Sequence, residues 1–241
     1  MQHSPYFRLL GALDAEVAGV GIRLGSPQAR AMLSLLLLRA NGLCSLDQLV
    51  QDLWGETPPS SARAQVQNHV SLLRRTIECA GGDAAAVLVT RPPGYLLTVG
   101  PDQTDLMVFR RLVTSARAHR ERGDLSTAVA EFRAALDLWR GAVLCDVTLP
   151  AVRDLAAPLD ELRVDAVEDW AETALSAGAG EEVAAELGAA VAHYPLRERL
   201  RATLMRALAA TGRTAEALEV YRTGRAVLVE ELGIEPGAGL R

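Results

Sequence analysis

The fold of this chain is decided by the stretch SSARAQVQNHVSLLRRTIE, residues 60–78, and by VLVTRPPGYLL, residues 87–97, which follows after a polar break. The first stretch carries five apolar residues at helical spacing: Ala62, Val66, Val70, Leu73 and Ile77. This spacing predicts an amphipathic helix with one buried side. The second stretch holds two β-prone runs, 87–90 and 95–99, joined by a turn at residues 91–94. We therefore expect a long helix followed by a short hairpin.

A second side of this helix is polar. The positions i, i+4, i+8 and i+11 are occupied by Arg63, Gln67, Ser71 and Arg74. Arginine and glutamine can bind guanine and adenine edges through paired hydrogen bonds, and arginine also binds phosphate. The helix is therefore a candidate for insertion into a DNA major groove. An ordinary solvated helix face is the alternative, because motif matches of this kind occur by chance.

Strands and two further helices precede this helix. Short β-prone segments come first, at residues 6–10, 16–20 and 21–24. Ser26 and Pro27 then open a helix that runs through the apolar residues 29–40. A capping box at residues 45–48 opens a second helix, whose predicted buried face is Leu46, Leu49, Val50, Leu53 and Trp54. These segments give the long helix two helical neighbours on which to pack.

The complete pattern predicts an α+β winged helix-turn-helix domain over residues 1–100. The proline-containing loop 55–59 separates the second helix from the third, which Ser60 or Ser61 is expected to cap. In this fold the third helix enters the major groove and the hairpin, or wing, reaches the adjacent groove. Arg91 would then contact the DNA backbone or the minor groove. A turn residue in solvent is the alternative for Arg91.

The second half of the chain is helical in pattern from Asp105 onward, after a short linker at 101–104. Gly178 and Gly212 lie 34 residues apart, and each separates two apolar helical segments. This is the period of tetratricopeptide repeats, and a third such turn is expected around Gly123. We therefore predict an all-α, tetratricopeptide-like helical repeat domain over 105–241, with an unspecific helical bundle as the alternative. The acidic residues between positions 159 and 172 are expected to form the solvated face of a helix.

Composition and charge restrict the function. With 241 residues, 49% hydrophobic and 23% charged, the chain is long enough for two globular domains. The net charge of −5 is unevenly distributed. Residues 1–100 carry eight arginines and seven acidic residues, a net charge of +1, whereas the rest carries 17 arginines and 23 acidic residues, a net charge of −6. Because DNA affinity depends on phosphate neutralisation, we expect modest affinity per monomer and a need for dimers or a protein partner.

The sequence contains no motif typical of membrane proteins, metalloproteins or the common enzyme classes. The apolar runs are too short for a membrane span, and the first residues do not resemble a signal peptide, so we expect a cytoplasmic protein that does not enter a membrane. The three cysteines and four histidines show no metal-ligand spacing, and neither a disulfide nor zinc is expected. Neither P-loop, HExxH, GxSxG nor GxGxxG occurs. We expect no cofactor, no metal and no enzymatic activity.

The chain resembles small members of the Streptomyces antibiotic regulatory protein (SARP) family of transcriptional activators over nearly its whole length. The blocks that carry the resemblance are RLLGALDAEV, SPQARAMLSLLLLRANG, DQLVQDLWGETPPSSARAQVQNHVSLLRR, TRPPGYLL, HYPLRERLRATLMRAL and GRTAEALEVYRTGRAVLVEELGIEPG. The resemblance implies an OmpR-type winged helix followed by a bacterial transcriptional activation domain. It also implies binding to direct repeats near the −35 region of antibiotic biosynthesis promoters, as side-by-side protomers that recruit RNA polymerase holoenzyme.

The resemblance also assigns roles to residues. The recognition helix would span 61–80, with Arg63, Gln67 and Asn68 as base readers and with Arg74 and Arg75 as phosphate contacts. Arg30, near the start of the first helix, resembles a clamp on the DNA backbone. The remaining candidates for DNA contact are Ser71, Thr90, Arg91 and His69, of which His69 could equally be a flank of the helix core. The loop expected to face the sigma or alpha subunit of polymerase contains Glu56, Thr57, Pro58 and Pro59.

Two other functions stay open at the level of sequence. The acidic net charge is compatible with a helical-repeat adaptor that binds protein instead of DNA. A metabolite-responsive regulator is the second possibility, although the alanine-rich helices with few aromatic residues do not indicate a pocket. A salt-sensitive gel shift would distinguish DNA binding from the adaptor function.

Overall fold

The computed structural model describes residues 3–240, and its N-terminal part mixes short strands with helices. The elements are β1 (Pro5–Arg8), β2 (Asp14–Val17), β3 (Val20–Gly21), α1 (Pro27–Leu38), β4 (Leu43–Ser45), α2 (Leu46–Trp54), α3 (Ala62–Cys79), α4 (Ala84–Val87), β5 (Leu88–Arg91) and β6 (Gly94–Leu97). Helices follow, namely α5 (Asp105–Glu121), α6 (Leu125–Leu136), α7 (Pro150–Ser176), α8 (Gly180–His193), α9 (Glu198–Ala210) and α10 (Thr214–Leu232). This is the predicted order of a winged helix followed by helical repeats.

The chain forms two compact units. The first contains the residues up to Arg111 together with Ala135–Leu162, and the second contains Leu112–Ala134 together with the residues from Arg163 onward. In the first unit, β1, β2 and β3 form one antiparallel sheet, and β4, β6 and β5 form another in that order. β5 and β6 are the predicted hairpin.

Two of the three predicted helix caps are confirmed. The hydroxyl of Ser26 accepts a hydrogen bond from the Ala29 amide, and that of Ser45 accepts one from the Gln48 amide. Ser61 is the N-cap residue of α3, as predicted, but its hydroxyl makes no bond to the helix backbone and accepts from Gln65 Nε2 instead. The reason is the backbone of Ser61, which at φ −87° and ψ 1° is already close to helical instead of extended.

Strand β4 was missed by the sequence patterns. It is three residues long, lies directly before α2 and therefore shows no readable alternation. β4 pairs with β6 so closely that Gly94 has no room for a side chain, since an added Cβ would lie 1.9 Å from the carbonyl oxygen of Cys44. The wing is thereby joined to the helical part of the first unit.

Residues between α6 and α7 also belong to the first unit. The amides of Arg140 and Leu144 donate to the carbonyls of Leu10 and Leu9, at 2.7 and 3.0 Å. The carboxylate of Asp105 accepts from the amides of Leu9 and Leu10, at 2.8–2.9 Å. Burial raises the pKa of Asp105 although these hydrogen bonds oppose the shift. The first compact unit therefore continues past the linker predicted at 101–104.

The second unit shows the expected repeat. Gly123, Gly178 and Gly212 each have a left-handed backbone, with φ of 81°, 89° and 79°. Each glycine is followed by an amide that donates to the carbonyl five residues back, and these pairs are Asp124 to His119, Ala179 to Ala174 and Arg213 to Leu208. The same turn thus ends one helix and begins the next three times, which confirms the tetratricopeptide-like architecture.

The acidic run on α7 is only partly the solvated face that the sequence predicts, because Asp160 and Glu161 are exposed whereas Glu168 and Asp169 are buried. Glu168 and Asp169 are only 3% and 4% exposed. Asp169 is covered by arginines from other helices: it accepts from Arg117 at 2.7 Å, from Arg199 at 2.9 Å and from Arg120 at 3.1 Å. Burial alone would raise the pKa of Asp169, but these hydrogen bonds outweigh it and lower the pKa below the ordinary value.

Replacement of Asp169 by Asn should destabilise the chain by about 3 kcal/mol at neutral pH, because the arginines lose their carboxylate. The control is Asp160→Asn, at an exposed position of the same helix, with an expected effect within about 0.5 kcal/mol. The measurement is urea unfolding as a function of pH. Because the pKa of Asp169 is lowered in the folded state, its contribution is complete above the unfolded value of about 3.9 and declines as the pH falls through the folded value. An unfolding free energy unaffected at pH 7 would contradict a structural role for this cluster.

Candidate nucleic-acid interface

Helix α3 presents one side to its own unit and another to solvent. The predicted buried stripe, Ala62, Val66, Val70, Leu73 and Ile77, is buried in the structure. The opposite side, termed here the outer face of α3, is exposed and consists of Arg63, Gln67, Asn68, Ser71 and Arg75. The stripe fixes the rotation of the helix, and this rotation determines which polar side chains face solvent.

Arg63 is held on the outer face by an ion pair that the sequence did not indicate. Its guanidinium contacts the carboxylate of Asp47 in the first turn of α2. Both side chains are largely exposed, at 62% and 76%. Exposed ion pairs contribute about 0–1 kcal/mol, so another anion or a hydrogen-bond acceptor can replace Asp47 at small cost.

Arg74 joins α3 to the wing. Its Nε and Nη2 atoms donate to the carbonyl of Leu88 at 2.9 and 2.6 Å, and Nη2 also donates to the hydroxyl of Thr90 at 2.8 Å. The sequence predicts a phosphate contact for Arg74. Its bond to the Leu88 carbonyl could not be predicted, because a backbone acceptor leaves no pattern in the sequence. Arg75, the next residue, is exposed. Arg74 therefore positions the wing, and phosphate contact by Arg74 stays a prediction.

The wing ends in an exposed basic residue. Arg91 is the last residue of β5 and pairs across the turn with Gly94 in the β5–β6 ladder. Thr90 and Arg91 are exposed. Arg74 therefore links α3 by hydrogen bonds to the strand that carries Thr90 and Arg91.

His69 and Ser71 differ in how exposed they are for hydrogen bonding to a ligand. The Nε2 atom of His69 is buried without a hydrogen-bond partner among residues 3–240, and burial lowers the pKa of the imidazole. This environment favours the helix-flank interpretation of His69. The hydroxyl of Ser71 donates to the carbonyl of Gln67 at 2.9 Å within the helix. The lone-pair sites of the Ser71 oxygen remain on the exposed side.

Arg30 is engaged inside the first unit. Its guanidinium donates to the carbonyl of Leu13 at 2.7 Å and forms an ion pair with Asp146. Asp146 also accepts from the Leu13 amide at 2.8 Å. Burial would raise the pKa of Asp146, but the Leu13 amide and Arg30 together lower it. A phosphate at Arg30 would have to compete with this carboxylate.

Leu72 is an exposed apolar residue that the sequence patterns did not single out. It is 45% exposed and lies four residues after Asn68 and three before Arg75, on the same side of α3. Its position outside the buried stripe of α3 is the sequence feature that could have identified Leu72 as an exposed apolar residue. Thymine methyl groups are the apolar features of the major groove, so Leu72 belongs to the candidate interface.

The loop between α2 and α3 is exposed throughout residues 56–60. It begins at Gly55, whose φ of 65° ends α2 and whose amide donates to the Gln51 carbonyl at 2.8 Å. Glu56, Thr57, Pro58 and Pro59 all lie on this loop. The two prolines restrict the backbone, which holds Glu56 on a stiff exposed segment.

The described residues contain neither a metal-binding cluster nor a membrane-spanning helix. Between residues 3 and 240, no group of three or more His, Cys, Asp or Glu side chains could hold a metal ion. The cysteines Cys44, Cys79 and Cys145 are free. None of the helices described is both long and apolar enough to span a bilayer.

Two family models match the chain. Residues 104–241 match the bacterial transcriptional activator domain, and residues 21–97 match the C-terminal domain of transcriptional regulatory proteins. The second match includes α3, its neighbours and the wing. It therefore covers every residue of the outer face.

Curated relatives and a solved structure agree with these matches. The chain is 39% identical over 239 residues to regulatory protein DnrI of Streptomyces peucetius, covering 97% of this chain and 88% of DnrI. It is 39% identical over 236 residues to regulatory protein AfsR of Streptomyces coelicolor, of which it spans only 23%. Mycobacterium tuberculosis EmbR, solved in complex with a low-affinity phosphopeptide, superposes with a TM-score of 0.95 at 36% identity, covering 100% of this chain and 64% of EmbR.

Replacement of Arg74 by Met should lower the unfolding free energy by about 1.5–3 kcal/mol, because a charged donor is lost from the Leu88 carbonyl. Arg75→Met is the matched control, since this neighbour is exposed, and it should change stability by no more than about 0.5 kcal/mol. Both values come from denaturant unfolding. Equal effects of the two substitutions would show that Arg74 does not secure the wing.

Proposed function

The chain belongs to the SARP family of transcriptional activators, and we propose that it binds direct repeats near the −35 region of antibiotic biosynthesis promoters and recruits RNA polymerase there. The observation that carries the proposal is the outer face of α3, where Arg63, Gln67 and Asn68 are exposed side by side while Arg74 fixes the wing. A helix and a wing held in this way can bind adjacent grooves together.

Base recognition is assigned to Arg63, Gln67 and Asn68. Arginine forms paired hydrogen bonds with guanine, and glutamine and asparagine form them with adenine. The ion pair between Arg63 and Asp47 is exposed, so Arg63 can exchange Asp47 for a guanine edge. Arg75 and Arg91 are the proposed phosphate contacts, because both are exposed.

Arg30 takes a secondary part in the proposal. Its guanidinium already neutralises Asp146 and donates to the Leu13 carbonyl. Phosphate binding at this position would need Asp146 to release Arg30 in whole or in part. We therefore assign the larger share of backbone binding to Arg75 and Arg91.

Side-by-side binding of two protomers follows from the low positive charge. Residues 1–100 carry a net charge of only +1, and affinity for DNA rises with the number of phosphates neutralised. Two protomers on adjacent repeats double the number of phosphate contacts. A protein contact with polymerase would add affinity that a single protomer lacks.

The stiff loop between α2 and α3 is the proposed contact with polymerase. Glu56 is exposed between Gly55 and the two prolines. An acidic side chain on such a loop is complementary to a basic surface of the sigma or alpha subunit. Because the loop directly precedes α3, it would lie beside the DNA when α3 occupies the major groove.

Replacement of Arg63 or Gln67 by Ala should cost about 1–3 kcal/mol on the matched operator and much less on an operator mutated at the contacted base. Arg75→Ala should weaken binding to both operators alike and reduce the slope of log K against log salt by about 1. Fluorescence anisotropy at several salt concentrations measures these quantities.

The operator for this experiment comes from footprinting on neighbouring promoters, where two protected repeats about one helical turn apart are expected. Equal losses on both operators would reassign Arg63 and Gln67 to phosphate contact. Absence of any salt-sensitive binding would favour the protein-binding adaptor instead.

Glu56→Arg should not weaken operator binding, because it adds positive charge to a loop beside the DNA, and should abolish most activated transcription in a reconstituted assay with RNA polymerase holoenzyme. The charge-matched control is Glu230→Arg, at an exposed position of α10. Activation that survives Glu56→Arg undiminished would exclude this loop as the polymerase contact.

A further inference from the structure

A groove in the second unit has the dimensions of a small-molecule site. It lies among α8, α9 and α10 and has a volume of about 570 Å³. Ligand pockets of drug-sized molecules have volumes of about 300–1,000 Å³. Its apolar wall is formed by Ala184, Val191, Leu204, Leu208 and Val220. Gly188 and Ala184 of α8 are small residues and leave this space open. The groove thus results from the shortage of large side chains, and the sequence analysis did not predict it.

Arg201 lines this groove and is only 4% exposed. Its Nε donates to the carbonyl of Pro195 at 3.1 Å. Within residues 3–240, no carboxylate lies at ion-pair distance from its guanidinium. Burial without a counter-ion lowers the pKa of Arg201. A buried charge is ordinarily paired, because desolvation of an unpaired ion is costly.

Other arginines of the same unit show the ordinary arrangement. Arg199 binds Asp169 and Glu172, and Arg133 binds Glu182 and Glu186. These side chains are more exposed than Arg201 and nevertheless have carboxylate partners. The most buried of these guanidiniums is thus the one that lacks an anion.

The backbone of α10 accommodates the Arg201 side chain. A Cβ at Gly224 would lie 2.7 Å from Cδ of Arg201, so the glycine gives the side chain its path between α9 and α10. Arg201 is therefore enclosed on the α10 side, is bonded to Pro195 and lines the groove.

Acidic side chains in the groove lining limit the charge of an occupant. Glu216 and Glu219 line the groove together with Arg213, which pairs with Glu216 at 2.7 Å. These acidic side chains disfavour an anion that carries several charges. We propose that the groove binds a small molecule with one carboxylate and an apolar body, with the carboxylate on Arg201 and the body against Val191, Leu204 and Val220. This site lies beyond the proposed DNA-binding function and does not depend on it.

The proposal is tested with octanoate as the probe, titrated calorimetrically into the 241-residue chain, with 1-octanol and inorganic phosphate as matched ligands. Octanoate should bind saturably with Kd below about 1 mM, and both other ligands should bind at least about 10-fold more weakly. Arg201→Met should weaken octanoate at least about 10-fold. Its thermal unfolding is followed in parallel to show that the variant is folded, because it also loses the hydrogen bond to the Pro195 carbonyl.

A second variant tests the groove by shape. An added Cβ at Gly188 meets no atom within 4 Å, so Gly188→Leu fits the helix and places its side chain in the groove. Octanoate binding should be lost, whereas Ala189→Leu, at the exposed neighbouring position, should preserve it. Absence of octanoate binding, equal binding of phosphate, or binding that survives both groove variants overturns the proposal. Operator binding by the same variants is measured separately and reports on the DNA-binding function alone.

Discussion

The burial of one apolar stripe on α3 is the constraint on which the first unit depends. Ala62, Val66, Val70, Leu73 and Ile77 fix both the position and the rotation of this helix. Every property of the outer face follows from that rotation, because a turn of the helix by one residue would replace the exposed side chains by different ones. Arg74 extends the constraint to the wing through the Leu88 carbonyl and the Thr90 hydroxyl. Core packing of the apolar stripe and the hydrogen bonds of Arg74 thus determine the relative position of α3 and the wing.

Local features of the fold were predictable from sequence, whereas features that join distant segments were not. Ser26 and Ser45 predict the starts of their helices, and Gly178 and Gly212 predict the repeat. Both predictions succeed because helix caps and left-handed turns depend on adjacent residues. Strand β4 has no local signal, since its pairing with β6 joins residues about fifty positions apart. The exposure of Arg63, Gln67 and Ser71 agrees with the predicted polar side of α3, whereas Arg74 on that side is half-buried. The partners of the candidate site residues were missed, because neither helical periodicity nor composition relates Arg30 to Asp146 or Arg74 to Leu88.

The second unit contains buried charge in two different states. Asp169 is nearly inaccessible and is compensated by three arginines, so its charge is stable inside the unit. Arg201 is equally inaccessible and has only a neutral carbonyl as its partner. The second unit therefore satisfies one buried ion with three charged partners and leaves another with a single neutral one. The contrast between them, and not burial alone, is what distinguishes a structural ion cluster from a site with capacity for an external anion.

Internal ion pairs neutralise half of the eight arginines in residues 1–100. The four that are paired with acidic side chains are Arg8, Arg30, Arg39 and Arg63. Arg74 is occupied by the wing, which leaves Arg23, Arg75 and Arg91 without acidic partners within residues 3–240. Because each neutralised phosphate contributes about −0.9 to the slope of log K against log salt, three such arginines give a shallow dependence. In the proposed mode of binding, the contacts of a second protomer on an adjacent repeat would supply the electrostatic affinity that these three arginines do not.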